Sequence, residues 1–76
     1  MNFEEIKNFK IESASLKEVR VFAREVFKKS SIFTNLTILK GKLVLISSKI
    51  SYNKLKLIIK IFCLIILKNY DNSCKE

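Results

Sequence analysis

A small α+β fold, running strand, helix, hairpin, helix, is what this sequence predicts, and three observations predict it. Apolar residues alternate at Phe9 and Ile11. They then recur every three or four positions from Leu16 to Phe27. Finally, Thr and Ile crowd the stretch leading to the single glycine, Gly41, the one plausible turn. A chain of 76 residues supplies one small domain, over positions 1–70, with a polar tail at 71–76 expected to be disordered. A domain this short hides only about 60% of the surface its unfolded chain exposes, so a partner chain would be a welcome source of stability.

In chain order, Asn8 to Ser13 reads as a strand, with Phe9 and Ile11 on one face and Lys10 and Glu12 on the other. Asn2 to Ile6 extends that strand or frays. Ser15-Leu16-Lys17-Glu18 has the form of a capping box, so a helix begins at Ser15. Leu16, Val19, Phe22, Ala23, Val26 and Phe27 fall on one of its faces, and it runs to about Lys29, where Lys28 and Lys29 suit the negative end of its dipole. Ile32 to Leu39 and Leu43 to Ile50 read as a hairpin around Lys40-Gly41-Lys42. The apolar segment Leu55 to Leu67 is helical by its length. Its uninterrupted part, Leu57 to Leu67, is eleven residues with Lys60 inside it, well short of the roughly 20 that cross a bilayer.

Charge divides the chain. Five of the seven acidic residues lie in the first thirty positions and none between Ser31 and Tyr70, while the net charge is +8. The first thirty residues hold seven basic and five acidic groups, net +2, which leaves +6 for a Lys-rich second half without a single Arg. Nucleic-acid binders favour Arg forks and stacking aromatics, and lysines scattered singly between Leu and Ile fit that role badly. The second half is also biased in composition, with Ile, Leu and Lys at 24 of the 40 positions 31–70. Residues whose codons begin with G supply 10 of the first 30 positions but only Gly41 and Val44 in that stretch. It reads as a degraded or frameshifted continuation of AT-rich coding sequence.

There is no His, and Cys63 and Cys74 form neither a CxxC pair nor a regular pattern, so both thiols are expected reduced, with Cys63 a small core residue. Met1 to Lys10 lacks the apolar core of a secretory signal, which places the expected location in the cytoplasm. Ser13, Ser15, Ser47 and Ser48 have no His or acidic partner at motif spacing, and no catalytic, metal or cofactor residues are assigned.

Residues 9–30 carry a resemblance. A short strand ending in Ser13-Ala14 leads through a capped start into a helix of the form Leu-x-x-Val-Arg-x-Phe-Ala-x-x-Val-Phe, with Ile11, Ala14, Val19, Arg20, Phe22 and Ala23 at its key positions. The segment resembles the opening strand and helix of anti-sigma-factor serine kinases, of the histidine-kinase and Hsp90-like ATPase superfamily. The resemblance implies a small α/β sandwich, here truncated, that binds ATP and Mg²⁺ and contacts a sigma factor or an anti-anti-sigma protein. A nucleotide site of that kind needs an Asp-x-Gly-x-Gly turn, and a chain with one glycine has none. What carries over is partner contact through the exposed face of the first helix, at Arg20 and Arg24. The expected function is therefore that of a non-catalytic relative of an anti-sigma regulator acting by protein contact. A competing reading is a basic protein at the membrane surface, with Leu55 to Leu67 in the headgroup layer. Self-association is a further expected partnership.

Overall fold

The computed structural model describes residues 2–74, and among them every regular element is helical. Four α-helices, α1 (Phe3–Asn8), α2 (Leu16–Ser30), α3 (Thr37–Ser47) and α4 (Tyr52–Cys74), are joined by two 3₁₀ turns, Ile11–Ser13 and Thr34–Leu36. The α+β expectation and the implied α/β sandwich are thereby overturned. The Asn8–Ser13 segment forms no strand: Asn8 ends α1 and Ile11 is buried in the first 3₁₀ turn. Two alternating apolar residues give a strand too little to bury, and no second strand exists among the described residues to satisfy its backbone.

The predicted hairpin is likewise replaced. Ile32–Leu39 bends through the second 3₁₀ turn into α3, and Leu43–Ile50 continues that helix and its exit. Leu36, Leu39, Leu43 and Ile46 recur at three, four and three residues, a helical seam that outweighs the strand preference of Thr and Ile. Gly41 has no positive φ and lies inside the helix rather than at a turn. Of the segment expected to be a disordered tail, residues 71–74 belong to α4, and residues 75 and 76 lie outside the described part.

Helix α2 forms as its sequence directs. The Ser15 hydroxyl accepts from the Glu18 amide at 3.2 Å, and the Glu18 carboxylate accepts from the Ser15 amide at 3.1 Å. The Ser15 amide first, and its hydroxyl second, hold the Glu18 carboxyl below its ordinary pKa. A depressed folded-state pKa means that this contribution to stability is present above the unfolded pKa and lost as pH falls through the folded one. A second capping box starts α1, where the Glu5 amide donates to Asn2 Oδ1 at 2.8 Å and the Asn2 amide donates to Glu5 Oε1 at 3.4 Å.

The core is a stripe on α4 around which the other elements gather. Leu55, Ile59, Phe62, Cys63 and Ile66 are buried and face Val19, Phe22, Ala23 and Val26 of α2, with Ile6, Ile11, Ala14, Phe33 and Leu36 closing the ends. Phe62 meets Phe27 with ring centroids 5.5 Å apart, Phe9 stacks on Phe22 at 3.9 Å, and Phe3 stacks on Tyr70 at 4.0 Å. The 23 residues of α4 extend about 34 Å at 1.5 Å per residue. That is nearly the full 38 Å length of the molecule.

Three polar contacts clip the first 3₁₀ turn to α4. The Tyr52 hydroxyl donates to the Ala14 carbonyl, Lys56 Nζ donates to the Glu12 carbonyl at 3.0 Å, and Lys60 Nζ reaches Glu12 Oε1 at 2.6 Å. The hydrogen bond from Lys60 is the chief reason the Glu12 carboxyl sits below its ordinary pKa. At the opposite end, Asn35 Nδ2 donates to Asn69 Oδ1 at 3.1 Å and ties the second 3₁₀ turn to the same helix.

Candidate functional site

Helix α4 has two apolar faces, and only one of them is used. On the side opposite the core stripe, Lys54, Leu57, Ile61, Leu64 and Lys68 follow at three, four, three and four residues and so share one line along the helix. Leu57, Ile61 and Leu64 are 59%, 50% and 61% exposed. Neither terminal lysine of the line has an ion-pair partner among the described residues, in contrast to Lys60, which Glu12 neutralises. The line is therefore apolar in the middle and cationic at both ends.

The second exposed apolar surface is on α3. None of its residues is buried, and Ile38 and Leu45 are 75% and 71% exposed. Lys42 lies between them at helical spacing, and the helix holds no acidic residue. Leu39 and Leu43, on the inner side, rest against the core.

Arg20 and Arg24 are exposed, one turn apart on α2. They border a shallow hollow of about 370 Å³ between α2 and the end of α3, floored by Ala23, Phe27, Val44 and Leu55. The Ser47 and Ser48 hydroxyls on its far side donate to the Val44 and Leu45 carbonyls, so the guanidinium groups supply the hydrogen-bond donors there. Burial pushes the Cys63 thiol up to about 12, which leaves it protonated and inert near neutral pH. The Cys74 side chain lies outside the described part. Among the described residues no three His, Cys, Asp or Glu side chains come together as metal ligands, and no helix is long and apolar enough to cross a membrane.

The structure thus keeps Arg20 and Arg24 on one exposed face, away from the apolar line of α4. That line escaped the reading of the sequence because apolar residues surround this segment on every side, and only burial separates the core set from the exposed one. The lysines at positions 54 and 68, seven residues on either side of Ile61, were the available signal. Comparison with known protein families, curated proteins and solved structures found no match to this chain.

Proposed function

We propose that this protein associates with anionic membrane surfaces, lying on the lipid with the outer face of α4. The observation that carries the reading is the line Lys54, Leu57, Ile61, Leu64, Lys68, opposite a fully formed core. An interfacial helix places its apolar side at the boundary of headgroups and acyl chains, while lysines reach back to the phosphates. Each Lys near such a surface adds about 1 kcal/mol, and the acid-free stretch from Ser31 to Tyr70 removes the repulsion that would oppose it. The leaflet richest in such lipid faces the cytoplasm.

Charge disfavours a second copy as the occupant of this face. Pairing two α4 helices in parallel sets Lys54 against Lys54, and antiparallel pairing sets Lys54 against Lys68. Either arrangement places like charges at both ends of the seam. Sedimentation with vesicles tests the membrane reading. The chain is expected to pellet with vesicles containing phosphatidylserine, to release as salt rises, and to stay in solution with phosphatidylcholine alone. No pelleting with the anionic vesicles, or equal pelleting with both kinds, ends this reading.

A second reading rests on Arg20 and Arg24, two neighbouring exposed guanidinium groups with no ion-pair partner among the described residues. Such a pair suits an acidic protein surface, and the resemblance of residues 9–30 to anti-sigma regulators implies partner contact through this helix. Immobilised chain that recovers a sigma factor, with recovery lost in Arg20→Ala, is the expected result. Equal recovery by the variant removes Arg20 from the contact.

A further inference from the structure

Helix α3 is strongly apolar but rests on the core through only two partly buried side chains, Leu39 and Leu43. Six of its eleven residues are Ile, Leu or Val, yet none is buried. No side chain caps its N-terminus, and Gly41 at its centre is a poorer helix former than almost any other residue. An isolated helix of this length is marginal in water. What an apolar, acid-free helix with loose attachments lacks is a second apolar phase.

We propose that α3 is the second lipid-contacting element and enters the headgroup layer with Ile38 and Leu45 when the protein sits on an anionic membrane. The inference rests on the membrane reading of α4 and extends it to a separate segment. Charge again selects the occupant. Lys42, between Ile38 and Leu45, snorkels to phosphate while the aliphatic side chains go deeper. Two copies paired through this face bring Lys42 beside its own counterpart in either direction, whereas anionic headgroups neutralise it.

The chain has no Trp, so one introduced in α3 reports on its surroundings alone. Full-length Leu45→Trp is expected to shift its emission to the blue on addition of phosphatidylserine vesicles and to be quenched by brominated phospholipid, with neither change on phosphatidylcholine vesicles. A variant chain that pellets with the anionic vesicles while its indole emission stays that of water overturns the role of α3 and leaves that of α4 standing. A chain that does not pellet overturns both. The double variant Ile38→Ser, Leu45→Ser removes no core side chain, so its far-UV circular dichroism should match the parent while its partition onto anionic vesicles falls about tenfold. Unchanged partition overturns the proposal. So does a concentration-dependent dimer, seen without lipid, that the double variant abolishes.

Discussion

Phe62→Ala is expected to abolish the cooperative thermal unfolding of the protein. Phe62 is fully buried at the middle of the α4 stripe, against the Phe27 ring and between Ile59 and Ile66. Truncating a buried Phe costs about 3 to 5 kcal/mol, through lost transfer energy and the cavity left behind. A single core in a chain of this size rarely supplies more than about 3 to 5 kcal/mol in total, so the variant has little or nothing left. Leu64→Ala, two residues along but 61% exposed, should change the unfolding midpoint little. The contrast also tests the register, because residues 62 and 64 would share a face in a strand and lie on opposite sides of a helix. Scanning calorimetry on the two variants decides the matter: similar losses for both would contradict the burial pattern of α4.

The second large effect concerns binding. In Ile61→Glu, the centre of the exposed line receives a carboxylate in place of an aliphatic group, and anionic headgroups repel it. The lost apolar contact and the adverse charge together are worth about 2 to 3 kcal/mol, so partition onto phosphatidylserine vesicles should drop by at least about thirtyfold. Because Ile61 faces away from the core, the melting curve in solution should be close to that of the parent. Vesicle binding that survives this substitution would mean that α4 is not the face that meets the lipid, and a collapse of the fold would mean that Ile61 is not at the surface.

How much of this architecture the residues announce depends on whether the information is local. The start of α2 was legible because a capping box is a four-residue device, and both of its hydrogen bonds are present. Its core face was legible because Val19, Phe22, Ala23 and Val26 stand out against charged neighbours. A capping box at Asn2 and Glu5 announces α1 equally well, but the alternation of Phe9 and Ile11 pulls the eye toward a strand. In α3, β-branched residues and Gly41 favoured a hairpin locally, and the helical seam prevailed over that preference. The helical character of Leu55–Leu67 was legible from its length, but its true limits, Tyr52 and Cys74, were not, since contacts made far along the chain hold both ends. Tyr52 is anchored at Ala14, and Tyr70 lies against Phe3. The same holds for the candidate surface, because two apolar faces of one helix look alike until one of them is covered.

The stripe on α4 also sets an order of events during synthesis. Helices α1 and α2 carry the caps that let them begin early, but the surface they bury against is supplied by Leu55, Ile59, Phe62 and Ile66. A nascent chain that has reached only Ser51 therefore leaves Val19, Phe22 and Val26 without their α4 partners, covered only by the smaller set around Phe9, Ile11 and Leu36. Until α4 emerges the apolar face of α2 is without its main cover, and exposed apolar surface of that kind is what makes an incomplete chain prone to aggregate.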